Sequence, residues 1–210
     1  MSLVSIVTPT FPARQDVLLG RCVPSVGRVD WPEVEHIIVS DPNPDLRRWL
    51  APPPQLAGPH AELRFVEIGD IWRDGVQDRS TGAVPWAVGS LMALGEYVGF
   101  LGDDDEMGEH HIRRHVEALQ ATGADFTVSV IEFRVRGQHY RNIGSSFNHG
   151  DLDSIGIMCR RSALRTMNWT ANGEDAADYR LVRDWLARGL RGHLLGGEPT
   201  SVHNDGWAAR

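Results

Sequence analysis

Gly95-Glu96-Tyr97-Val98-Gly99-Phe100-Leu101-Gly102-Asp103-Asp104-Asp105 sets an apolar, β-forming run between glycines and ends it on three consecutive carboxylates. A run of that kind, from 97 to 101, reads as a buried strand. In open α/β sheets, ligands collect at the carboxyl ends of strands. Adjacent carboxylates repel and raise one another's pKa unless a cation joins them. A hard divalent ion, Mn2+ or Mg2+, takes oxygen ligands and is commonly held by one or two carboxylates plus substrate phosphates. The strand end therefore suggests a metal-bridged diphosphate. The competing reading is a solvated turn, where aspartates are common.

Working outward, residues 4–8 are a β-branched run stopped by Pro9, and 34–39 form a second such run with Asp41 just past its end. Residues 63–68 suggest a third strand, 126–136 and 155–159 two more, and 191–203 one or two short extended pieces. Helical spacing appears at Val17, Leu18 and Cys22, over 85–94, at Ile112, Val116 and Leu119 up to Gly123, and over 174–188 before Gly189. Residues 51–59 and 69–84 read as loops, the second one able to close over a ligand, and 138–153 reads as irregular. Strands alternating with helices in the first half predict an α/β protein, a Rossmann-like, mostly parallel sheet flanked by helices. No repeat or linker interrupts it, so residues 1–210 are expected to form a single domain.

The chain has 210 residues, 41% hydrophobic and 23% charged, with a net charge of −7. That acidity argues against general nucleic-acid binding, which depends on clustered cations. Every basic residue is arginine, which excludes a Walker-type lysine and a lysine Schiff base. No apolar run approaches the ~20 residues of a membrane span. No secretory signal is visible at Met1, and with only Cys22 and Cys159 a reducing cytoplasm is the expected compartment.

Four segments carry a resemblance: Val4-Ser5-Ile6-Val7-Thr8-Pro9-Thr10-Phe11, His36-Ile37-Ile38-Val39-Ser40-Asp41, the glycine-bounded run into Asp103-Asp104-Asp105, and Ala177-Asp178-Tyr179-Arg180-Leu181-Val182. In order and spacing the chain resembles glycosyltransferase family 2 proteins of the GT-A fold, over about residues 3–190. The resemblance implies a nucleotide-diphosphate sugar donor, usually a UDP-sugar, with a divalent metal on its diphosphate. It would place Thr8, Pro9 and Phe11 beside the base, with Asp41 accepting a hydrogen bond from it. Asp103 and Asp104 would contact ribose and diphosphate. Asp105, or Asp104 in a shifted alignment, would ligate the metal. Residues up to about 105 would form the nucleotide-binding half and the remainder the acceptor-binding half. Trp86-Ala87 stands where members often have an arginine-asparagine pair, and Arg79 is the candidate substitute. The tryptophan signature of processive synthases is missing, so a single sugar would be moved to an acceptor whose identity no motif encodes.

Further candidates come from position. On a helix, Asp178 shares one face with Leu181, Val182 and Trp185, which sets a carboxylate on the stripe that should be buried. There it would serve as general base for an acceptor hydroxyl, opposite the leaving diphosphate, and so invert the anomeric carbon. Glu174 and Asp175, in the same first turn, are alternative bases, or caps that complement the helix dipole. His203, near the carboxyl end, is a candidate to complete the metal shell, as a histidine from that region does in some GT-A enzymes. Asp151 and Asp153 share one face of an extended chain and would bind acceptor hydroxyls or else form a turn, and Trp169 would stack on a sugar. His110, His111 and His115 lack the metalloprotease pattern, so a solvated helix face is expected there. The alternatives to a glycosyltransferase are a nucleotidyltransferase, whose glycine-rich basic loop is absent after the first strand, and a catalytically silent nucleotide-sugar or carbohydrate binding module.

Overall fold

The acidic triplet lies at the end of a central strand, in a computed structural model that describes residues 2–50, 61–69, 83–166 and 177–205. The strands are β1 (Val4–Thr10), β2 (Val34–Ser40), β3 (Ala61–Glu67), β4 (Tyr97–Phe100), β5 (Glu106–Met107), β6 (Phe126–Ser129), β7 (Ile131–Val135), β8 (Gln138–Ile143), β9 (Ile157–Arg160), β10 (Gly192–Leu195) and β11 (Ser201–Asp205). The helices are α1 (Gln15–Val17), α2 (Val23–Val26), α3 (Pro44–Leu50), α4 (Ala83–Met92), α5 (His111–Thr122) and α6 (Ala177–Ala187). A π-type turn, Leu18–Cys22, joins α1 to α2.

Seven strands form the main sheet in the order β10-β6-β9-β4-β1-β2-β3. Its pairings are parallel except for those of β9, which runs antiparallel between β4 and β6. The architecture is thus the mostly parallel α/β sheet that the alternation of elements predicts. The chain leaves β1 toward β2 on one side, while β4 flanks β1 on the other. That reversal opens a crevice at the carboxyl ends of β1 and β4, where Thr10 and Asp103 meet. A second sheet, β5-β11-β7-β8, stands beyond it.

Side-chain alternation splits the core into two layers. Val4, Ile6 and Ile38 face Leu18, Cys22 and Val26 on one side, with Ile112, Val116 and Leu119 of α5. Val7, Ile37, Val39 and Phe100 face Ala83 and Trp86 of α4 and Leu181, Val182 and Trp185 of α6 on the other. Glu35 is buried within β2 and is held by Ser5 Oγ at 2.5 Å, the Leu94 and Gly95 amides at 2.5 and 3.1 Å, and Arg64 at 2.5 Å. Burial alone would raise its pKa, but those bonds outweigh it and hold the carboxyl below its ordinary value. The brace fixes the turn that feeds β4 and its aspartates.

Gly89 lets α4 sit down on the sheet. An added Cβ would lie 2.3 Å from Val7 Cγ1 and 3.1 Å from Val39 Cγ2, both in fully buried residues. Alanine gains about 1 kcal/mol of helix propensity over glycine, yet overpacking a rigid core costs about 1–3 kcal/mol. Gly89→Ala is expected to lower the melting temperature, by about 2–4 °C for each kcal/mol of net loss in a domain this size. A calorimetric scan checks it.

Several local expectations are corrected. Residues 126–136 are two strands in different sheets, and 138–143, read as irregular, is β8, paired antiparallel with β7. Val17 is 37% exposed, so the buried stripe there is carried by Leu18 and Cys22. Helix α3 was not foreseen, although Asn43 caps it by accepting from the Leu46 amide at 3.0 Å and Pro44 opens it. The largest correction concerns the histidines of α5: His111 and His115 are fully buried, and His110 alone is exposed. Burial pushes the pKa of His111 down to about 3, and that of His115 well below its ordinary value. His111 Nδ1 pairs with Thr200 Oγ1 at 2.8 Å and His115 Nδ1 with Thr127 Oγ1 at 2.7 Å. These neutral rings join α5 to β6 and to the start of β11.

Candidate active site

The site is assembled where β4, β11, the turn before β9 and the start of α6 converge. After β4 the chain turns tightly, the Asp105 amide donating to the Gly102 carbonyl at 3.2 Å. A Cβ on Gly102 would lie 2.4 Å from Asp105 Oδ2, so any larger residue there would press on the Asp105 carboxylate. The two-residue strand β5 then pairs with β11, Ser201 opposite Met107 and Val202 opposite Glu106. That register delivers His203 and Asn204 to the aspartates. The Asn204 amide donates to Asp105 Oδ1 at 2.8 Å, and its side-chain Nδ2 donates to the Asp104 carbonyl at 3.0 Å.

His203 Nδ1 lies 3.4 Å from Asp105 Oδ1 and 3.2 Å from Asp153 Oδ2. It is buried and aligned for a hydrogen bond with neither. Phe133 stacks on the ring at 4.6 Å and 17°, fixing its plane. Asp153 caps the turn Ser154–Gly156, its Oδ1 accepting from the Ile155 amide at 3.1 Å, which leaves Oδ2 directed at His203. The ligand atoms of Asp105, Asp153 and His203 all lie within 4.8 Å of one another. Two carboxylates and an imidazole nitrogen facing a common centre fit a divalent cation of the Mn2+ type. No other cluster of three such groups occurs among the described residues.

Electrostatics agree with the geometry. Burial pushes the Asp105 carboxyl up to about 6, against the lowering effect of His203. Burial also opposes charge on His203, but Asp105 and Asp153 outweigh it and raise the imidazole to about 10. Asp178 opens α6, its Oδ1 accepting from the Tyr179 amide at 2.7 Å. Burial, then the neighbouring Asp153 charge, lift Asp178 to about 7. A carboxylate poised near neutrality beside a candidate cation is suited to general-base work.

The rest of the triplet is engaged differently. Asp103 accepts from Thr10 Oγ1 at 2.8 Å and from Arg14 Nε at 2.9 and 3.0 Å, and burial raises it to about 6 despite the guanidinium. Asp104 Oδ2 pairs with Arg14 Nη2 at 2.6 Å. Arg14 was missed in the sequence, where nothing marks an arginine six residues past Thr8 as facing residues ninety positions away.

The other candidates fall out as follows. Phe11 and Pro9 are part-exposed at the β1 end, with the Arg14 guanidinium 5.8 Å over the Phe11 ring, and Asp41 is buried past the end of β2. Thr8 is fully buried near the end of β1, its hydroxyl 2.8 Å from His36 Nε2. Asp151 and Asp153 part company: Asp151 accepts from Ser145, Ser146 and the Gly144 amide, which close its own turn. Asp153, expected at an acceptor, joins the candidate metal cluster. Arg79, Trp169, Glu174 and Asp175 lie outside the described residues.

No family model matches the sequence, and no curated protein does. Solved structures do match. The fold is a GT-A-like glycosyltransferase fold. S. aureus TarS, residues 1–349, superposes with a TM-score of 0.71 at 14% identity, covering 97% of this chain and 60% of that one. The TarS complex with UDP-GlcNAc gives 0.72 at 13%, covering 98% and 59%. The mannosyltransferase PcManGT from Pyrobaculum calidifontis, in complex with GDP-Man and Mn2+, gives 0.63 at 15%, covering 96% and 56%. The chain therefore spans about three fifths of the length of these structures. Among the described residues no helix is long and apolar enough to cross a membrane.

Proposed function

We propose that this chain is a metal-dependent glycosyltransferase of the family 2 type, which moves one sugar from a nucleotide-diphosphate donor, a UDP-sugar first among candidates, to an acceptor hydroxyl with inversion. The carrying observation is the convergence of Asp105, Asp153 and His203 past the carboxyl end of β4, with Asp178 near Asp153. Neighbours of the same fold were solved with UDP-GlcNAc and with GDP-Man and Mn2+, which supports the reading.

In this reading Asp105, Asp153 and His203 hold the divalent ion, with Mn2+ favoured over Mg2+ because one ligand is imidazole. When bound, the ion supplies positive charge for the departing diphosphate. Pro9, Phe11 and Asp41 border the base, and Asp103 and Asp104 lie toward ribose and diphosphate. Asp178 takes the acceptor hydroxyl's proton as that oxygen bonds to the anomeric carbon. The bond from that carbon to the diphosphate oxygen breaks, and its electron pair leaves with the nucleotide. Residues 1–105 supply the donor cradle. The remainder supplies the base, two of the three metal ligands and the acceptor side.

The test is a thermal-shift panel of UDP-, GDP-, dTDP- and CDP-sugars with and without Mn2+, followed by donor hydrolysis. A bound donor at a hundredfold excess over its Kd adds about 2.7 kcal/mol of stability. Mn2+-dependent stabilisation with slow hydrolysis is expected. Stabilisation without any turnover would instead identify a silent binding module.

A further inference from the structure

The acidic triplet and the candidate metal cluster share only one member, Asp105. Asp103 and Asp104 are both taken by one guanidinium. Arg14 reaches Asp103 through Nε and Asp104 through Nη2, and its side chain and both of theirs are largely buried, at 14%, 9% and 13% exposure. Thr10 Oγ1 adds a further donor on Asp103 Oδ2. Both oxygens of Asp103, and Oδ2 of Asp104, are therefore bonded on the β1 side of the crevice. Asp105 turns the other way, toward Asp153 and His203.

We propose that Arg14 is a built-in counter-ion that divides the triplet, claiming Asp103 and Asp104 so that the site takes a single divalent cation through Asp105, Asp153 and His203. The inference rests on the metal-dependent reading above and deepens it.

The physical reason is charge density. Three successive carboxylates plus Asp153 would present four negative groups in one pocket, enough for two divalent ions of the paired-metal kind. A planar guanidinium that spans two of them cancels one charge and fixes two carboxylate orientations at once. All three groups are largely buried, where such contacts are screened less than on the surface. Arg14 is thus a positioning residue, acting on the metal through the carboxylates it withholds. A second ion would have to displace it.

The experiment counts Mn2+ on the intact protein by EPR of the free ion, with circular dichroism as the folding control. Wild type is expected to bind one ion, and Asp103→Asn to keep it. Arg14→Met is expected to bind a second ion, or the first more than tenfold more tightly. Arg14→Met combined with Asp103→Asn and Asp104→Asn is expected to return to one ion at wild-type affinity, which a merely structural loss would not do. Two ions on wild type, a folded Arg14→Met indistinguishable from wild type, loss of the ion in Asp103→Asn, or a compensated variant that does not revert would each overturn the role of Arg14. A wild type that binds no Mn2+ overturns the metal-dependent reading itself.

Discussion

Asp178→Asn is expected to lower kcat for sugar transfer by about 10²–10⁴, the usual contribution of a positioned base, while donor affinity changes by less than about threefold. Asn keeps the shape and the acceptor oxygen for the Tyr179 amide but cannot take a proton. Wild-type activity carries the companion signature. Asp178 titrates near 7 because burial and the Asp153 charge oppose its ionisation, and a base works only when deprotonated. The rate should therefore rise with pH through about 7 and level off above it, and the variant's residual rate should lack that limb. Donor affinity from calorimetry beside steady-state pH profiles decides the matter. A variant that keeps full kcat returns the role of base to Glu174 or Asp175.

Asp105→Asn is expected to weaken Mn2+ binding at least a hundredfold, and the pH dependence of the wild type identifies the partner. In the free site His203 is held protonated up to about 10 by Asp105 and Asp153, whereas a metal ligand must be the neutral imidazole. Each ion bound between about pH 6 and 10 must then expel one proton. Affinity should climb about tenfold per pH unit across that window. Below about 6, protonation of Asp105 steepens the loss. Calorimetric titration in two buffers of different ionisation enthalpy counts the proton directly. His203→Gln should bind weakly at every pH without that slope, and a wild-type affinity flat from pH 6 to 9 would remove His203 from the shell.

Much of this was legible in the chain. The β-branched runs at Val4 and Val34 and the glycine-bounded run into the aspartates name three adjacent strands at the centre of the sheet, because full burial selects continuous apolar residues. Asp178 stood out as a carboxylate on an apolar stripe; Leu181, Val182 and Trp185 of that stripe are buried, while Asp178 itself is half-buried at its start, within the field of Asp153. His111 and His115 misled because an imidazole reads as polar, yet each precedes a member of the Ile112-Val116 stripe at the same four-residue step. A wider buried face accounts for both. Long-range partners left no trace. Arg14 meets Asp103 only because β1 and β4 lie side by side in parallel, and Asp153 meets His203 only because β9 runs antiparallel into the sheet and β11 pairs with β5. Sequence periodicity reports which face of an element is buried, not what stands across from it.

Asn204 and His203 reach the aspartates from a strand about a hundred residues downstream, and Asp153 arrives from midway between. No local segment, and no fragment ending before residue 203, contains the whole binding constellation. A nascent chain still missing β11 would leave Asp105 without its imidazole neighbour. Ion capture would thus wait on residue 203, as a clasp drawn shut only after the strands before it have been made and arranged.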